Sequence, residues 1–188
     1  MSRAPADIVA ICSILVAAPL SLSALAQNPA PAGTTTRTAT FMVSVMVDND
    51  CMISGSDPLN FGHLVARLDA SAEMWFAQTD RLTRFSVSCT KNTRYTLYLD
   101  RGSVANSTVN ARLMAGNTPG NADQLRYQLY LDPACSTIWG DGSSGSASNV
   151  GGVGNGGPQV YTVYGRILPQ DMPNADLYSS MITASLTF

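Results

Sequence analysis

The chain has 188 residues, 11 basic and 13 acidic side chains, a single histidine and a formal net charge of −2. Its one Lys and many Arg are scattered rather than clustered, which excludes a polyanion such as nucleic acid as the expected partner, because that affinity needs many cations neutralising phosphates together. Past the N-terminal apolar run, no segment approaches the roughly 20 apolar residues of a membrane-spanning helix, so no stable membrane insertion is expected.

In chain order, Arg3 precedes an apolar run over residues 8–25, and Ala24-Leu25-Ala26 closes it with the small-x-small pattern that a signal peptidase reads. Residues 1–26 are therefore expected to be a secretory signal cleaved before Gln27. A membrane anchor is the alternative, disfavoured by Pro19 and by the Ser-rich end of the run; Cys12 sits too early for a lipidation site. Residues 27–40 are rich in Pro, Ala and Thr, with Arg37 the only charge, and read as a flexible leader. A single domain is expected over 41–188.

From Ala39 the pattern becomes regular. Ala39, Phe41, Val43, Val45 and Val47 fall on one face, with Thr40, Met42, Ser44, Met46 and Asp48 on the other. Alternation with period two predicts a strand with one buried face. Asp48-Asn49-Asp50 ends it as a turn. Leu59-Asn60-Phe61 is a shorter strand candidate, and residues 64–78 are the nearest approach to a helical turn. Residues 85–89 and 95–99 alternate and are separated by a polar run of hairpin length containing Asn92, so they are expected to form a hairpin. Leu125, Tyr127, Leu129 and Leu131 share another face. The Gly-, Ser- and Asn-rich stretch 140–158 reads as a long mobile loop. Residues 160–167 form a Val- and Tyr-rich strand closed by Pro169. In the last strand Ile182, Ala184, Leu186 and Phe188 oppose Met181, Thr183, Ser185 and Thr187. Short strands parted by turn signals predict an all-β antiparallel sandwich.

Removal of the signal leaves Cys51, Cys89 and Cys135. An exported chain meets oxidising conditions, and Cys51 and Cys89 each end a strand-like run, which suits a bridge between neighbouring strands. Cys135, beside Pro133, is then the odd thiol, either a partly buried bystander or a site of intermolecular pairing.

No constellation of residues points to catalysis. His63 has no nucleophile or carboxylate partner nearby in the sequence, and no nucleophile elbow is present. Asp48-Asn49-Asp50 lacks the later ligands of a calcium loop, and Asp141-Gly142 lacks the Lys-Ser/Thr pair and following helix of a phosphate loop. No enzyme, metal or cofactor is expected. Trp139 reads as a packing residue, although Trp139 and Tyr161 beside loop carboxylates keep open a sugar-binding platform.

Taken in order, several segments resemble one family. They are the alternating strand leading to Cys51, Leu59-Asn60-Phe61-Gly62, Val87-Ser88-Cys89-Thr90, and Tyr95-Thr96-Leu97-Tyr98-Leu99-Asp100-Arg101-Gly102. Arg126-Tyr127-Gln128-Leu129-Tyr130-Leu131-Asp132, Trp139-Gly140-Asp141-Gly142, Tyr164-Gly165-Arg166-Ile167 and Tyr178 before the terminal strand complete the set. This pattern resembles the spore coat protein U domain family, which includes subunits of archaic chaperone–usher pili. Asp176 and Ser180 depart from it, standing where a Gly and an Asp are common.

The resemblance implies an incomplete immunoglobulin-like antiparallel β-sandwich completed by a donor strand from another subunit. The chain ends on a strand at Phe188 and so is expected to leave a sheet edge open. Ala39, Phe41, Val43, Val45 and Val47 would form the joining segment, and Ile182, Ala184, Leu186 and Phe188 the chaperone-facing strand. Two other registers stay open: residues 34–41 donate while 42–47 pair at home, or 41–47 are simply the first home strand. The implied partners are further copies or related pilins, a periplasmic chaperone and an outer-membrane usher. Passage through the periplasm would end at the cell surface, in a pilus supporting attachment and biofilm formation. The competing functions are a secreted carbohydrate- or surface-binding module and a spore or cyst coat protein.

Overall fold

A computed structural model describes residue 33 and residues 35–55, 57–68, 74–143 and 148–188. The expected signal and most of the leader lie outside these residues. The chain divides into two compact units, Met1–Ser44 and Val45–Phe188. In the first, residues 35–44 have no regular secondary structure and are exposed.

The second unit opens in the same manner. Val45, Met46 and Val47 are exposed and unpaired, and the first strand, β1, is Cys51–Ser54. The home strand at 41–47, one of the registers left open by the sequence, is therefore absent, and Cys51 opens a strand instead of ending one. Period-two alternation states which face a strand would bury, but not whether its own chain supplies the surface.

Ten more strands follow: β2 Ala66–Leu68, β3 Met74–Phe76, β4 Thr79–Cys89, β5 Arg94–Leu99, β6 Arg112–Gly116, β7 Gln124–Tyr130, β8 Val150–Val153, β9 Pro158–Ile167, β10 Tyr178–Ser179 and β11 Ala184–Thr187. No helix occurs among the described residues, and the stretch weighed for a helical turn forms the β2–β3 pair. One sheet runs β1-β4-β9-β7-β6-β10, a second runs β11-β5-β8, and every strand pair is antiparallel. The spine of the larger sheet is the long β4–β9 ladder, from Thr79 opposite Ile167 to Ser88 opposite Pro158.

β4 and β5 do not form the expected hairpin. Both edges of β4 are already taken, by β1 and β9, so β5 crosses to the other sheet. The crossing is tight: Thr93 N–H donates to Thr90 O at 3.0 Å, and Asn92 adopts a left-handed φ of 69°. Asn tolerates that conformation better than most residues.

The glycine-rich stretch also differs from expectation, because it contains β8 paired to β5. Its glycines permit close approach. A Cβ on Gly152 would enter the Tyr95 ring, and one on Gly154 would strike the Thr90 carbonyl. Gly154 exchanges 2.8 Å backbone hydrogen bonds with Asn92 and Thr93, which ties β8 to the crossing turn.

Phe85, Val87, Leu97, Leu99, Leu125, Leu129, Trp139, Val163 and Ile167 form the centre of the core. Leu59 and Phe61 lie outside any strand, yet they fill the space over Gly165, where a Cβ would stand 2.5 Å from Leu59 Cδ2. Cys51 and Cys89 face each other directly across β1 and β4 and are joined by a disulfide. Asp176, one of the departures noted above, accepts from Asn121 Nδ2, Thr118 N and Oγ1, and Leu177 N. It thereby ties the β6–β7 turn to the approach of β10.

Two measurements follow from this packing. The disulfide closes a loop of 38 residues. In the loop-entropy account, replacing both cysteines with Ser should lower unfolding free energy by about 4 kcal/mol in urea titration. The hydrogen bonds, that from Asn121 foremost, hold the Asp176 carboxyl down at about 2, against an ordinary 3.8. A depressed carboxylate stabilises the fold above its ordinary pKa, and that contribution fades as pH falls through the folded value. Acid titration below about pH 4 should therefore destabilise the native chain more than its Asp176→Asn variant.

Candidate subunit-joining surfaces

β11 is an edge strand whose sole partner is β5, with Ala184 opposite Leu99 and Leu186 opposite Leu97. Antiparallel pairing uses the backbone groups of alternate residues, so the others on an edge strand point outward with no ladder partner. Ile182, Ala184 and Leu186 turn inward and are only half-buried, while Phe188 remains 58% exposed. The larger sheet ends in a similar way at β1. Ile53 stands opposite the fully buried Val87, yet it stays 38% exposed. Each of the two larger sheets thus has an edge strand whose inward side chains are incompletely covered.

Arg112 holds β5, and through it β11, against the larger sheet. The side chain on β6 is fully buried and donates to Leu99 O at 3.3 Å, Asp100 O at 2.7 Å, Trp139 O at 2.8 Å and Gln128 Oε1 at 2.5 Å. Burial pulls its pKa down, but a guanidinium starts too high to lose its proton, so the site is a permanent cation neutralised by carbonyl dipoles.

The alternating segment carries the opposite deficiency. Phe41, Met42, Val43, Val45, Met46 and Val47 are each 75–88% exposed. A contiguous apolar stretch like this marks an interaction site, because soluble domains rarely leave one uncovered. The structure thus contains a strand-like segment without a sheet and a sheet edge without a strand.

The other candidates lie elsewhere. His63 is exposed at a shallow cleft with Arg67, Gln78 and Thr79. Cys135 is a half-buried free thiol in the β7–β8 connection, its pKa raised by burial. Trp139 is a packing residue and offers no sugar-binding face: it is 1% exposed, packed 5.8 Å from Phe85 and 6.3 Å from Tyr161. Tyr161 is half-buried, stacked 6.0 Å from Phe85 and tied to Tyr95 through hydroxyls 2.6 Å apart. Among the described residues no group of three or more His, Cys, Asp or Glu side chains could hold a metal ion. Sequence reading missed Arg112 and Ile53. The alternation of Cys51 and Ile53 was the available signal for β1, whereas nothing in the sequence around Arg112 marks it as interior.

The fold and its open edges define a class, the all-β domain of immunoglobulin type with exposed strand-pairing surfaces. The Spore Coat Protein U domain profile matches residues 37–185, and the chain belongs to that family. Comparison with curated proteins gives no match. Among solved structures, the fold resembles a chain in the crystal structure of the CsuC–CsuE chaperone–tip adhesion subunit pre-assembly complex, from archaic chaperone–usher Csu pili of Acinetobacter baumannii. Identity is 20% and the TM-score 0.51, over 76% of this chain and 40% of that one. The match therefore spans less than half the length of that chain.

Replacing Arg112 with Leu should cost at least about 3 kcal/mol, since several buried carbonyls lose their donor together. Denaturant titration measures the loss, and a change below about 1 kcal/mol would show that the carbonyls find other partners.

Proposed function

We propose that this chain is a structural subunit of a chaperone–usher pilus that polymerises by donor-strand complementation. The observation that carries this reading is the coexistence of an exposed alternating segment with the open edge of β11. One subunit would lay its segment along the β11 edge of the next, directing Ala39, Phe41, Val43, Val45 and Val47 into the incompletely covered core. The backbone groups of β11 would gain a ladder partner. In transit, a periplasmic chaperone would cover the strand of Ile182, Ala184, Leu186 and Phe188 before an outer-membrane usher exchanges it for the donor. The product is a surface fibre, with attachment and biofilm formation as its role.

The magnitudes explain why a whole strand is needed. Burying four such side chains contributes on the order of 6–12 kcal/mol. Ordering the segment costs about 1–2 kcal/mol per residue, so side-chain burial alone does not secure the joint. The backbone ladder must supply the surplus, which favours an incoming strand over an isolated apolar anchor.

The alternation supplies a face-specific test. Val43→Asp with Val45→Asp should abolish polymer while leaving the subunit bound to its chaperone. Met42→Asp with Met46→Asp, on the opposite face, should permit fibres. Deletion of residues 39–47 should give the same loss as the Val pair. Electron microscopy of cells producing each variant reads the outcome, and abundant fibres from the deletion would sink the proposal.

A further inference from the structure

The three residues between the exposed segment and the disulfide, Asp48, Asn49 and Asp50, belong to no strand, yet each is tied to the turn joining β4 and β5. Thr90 N–H donates to Asp50 O at 2.9 Å, and Asp50 N–H donates to Thr90 Oγ1 at 3.1 Å. The Thr90 hydroxyl also lies 3.3 Å from both the Asp48 and Asp50 carbonyls, which share its single proton. Thr93 is 3% exposed, and its hydroxyl donates to Asn49 Oδ1 at 3.0 Å. The turn is itself fixed, through Gly154 on one side and the Cys51–Cys89 disulfide on the other. The polar run after Val47 is therefore bound at every residue to the body.

We propose that Thr90 and Thr93 are positioning residues for the donor segment: by locking residues 48–50 to the body they remove slack between donor and domain, and so stiffen the fibre. This inference rests on the donor-strand reading. With the clamp made, a neighbour holding residues up to Val47 is joined to a fixed point on the body. With the two hydroxyls lost, Asp50 stays bound through Thr90 N–H, but Asp48 and Asn49 lose their ties and their torsions relax the angle between neighbours.

The full-length chain carrying Thr90→Val and Thr93→Val, near-isosteric changes that remove only the hydroxyls, tests the clamp. Produced with its chaperone and usher, this variant should still form fibres. Their persistence length in electron micrographs should fall several-fold against the native fibre. The melting temperature of the chaperone-bound subunit is measured alongside, since a purely structural role would move that value and leave fibre stiffness unchanged. If the double variant fails to fold, Asn49→Ala, at an exposed position, decides by the same readout. Fibres of unchanged persistence length from a folded variant overturn the clamp. Fibres that persist after deletion of 39–47 overturn the donor reading instead, so the two failures are distinguishable.

Discussion

A β-strand satisfies its backbone only by lying beside another strand, and this requirement organises the molecule. Interior strands such as β4 and β9 have partners on both edges. β11 has one, and residues 41–47 have none among the described residues. In water the unpaired groups of an exposed edge are hydrated, so the fold tolerates them, but each remains a template for pairing. The half-covered Ile182, Ala184 and Leu186 add an apolar incentive at the same place.

A sandwich with an open edge still needs its two sheets held in register, and the interior supplies this without help from the edge. Arg112 reaches from the larger sheet to the carbonyls at the end of β5. The aromatic cluster of Phe85, Trp139, Tyr161 and Tyr95 fills the space between layers. A buried cation without a carboxylate partner is an expensive way to join two sheets. It does, however, fix the direction of five donors, a specificity that apolar contacts lack. The cross-strand disulfide then secures β1, the four-residue edge of the larger sheet.

Much of this was legible in the residues. The all-β class followed from repeated period-two alternation, and the pairing of Cys51 with Cys89 from two strand-end cysteines in an exported chain. What stayed hidden depended on partners distant in sequence. The polar run after Cys89 has hairpin length, but only the occupied edges of β4 show that it must cross between sheets. Glycines from 151 to 157 look like loop composition, because close packing beneath the Tyr95 ring and the fit against Thr90 leave no mark in the local sequence. The alternation at 39–47 left two readings open, a joining segment or a first home strand, and only the second is excluded by the absence of regular structure there. Periodicity records what a segment can bury, while the identity of the surface that buries it is a tertiary matter. Trp139 drops out of a ligand platform for the same reason: residue type does not report burial.

The four edges of the two larger sheets are unequal. β10 has two residues, and β8 has four, two of them glycines with no side chain to offer a partner. β1 and β11 remain as edges that combine open backbone with half-covered apolar side chains, and in the proposed joint it is β11 that the segment meets. In the proposed joint donor and acceptor are different surfaces, so their contact would be heterologous rather than self-complementary. A two-fold dimer satisfies such surfaces only by a reciprocal exchange; simple repetition instead propagates one polarity. In the proposed assembly a valence of two, one surface of each kind, would set the dimensionality: a line with distinguishable ends and no branch points.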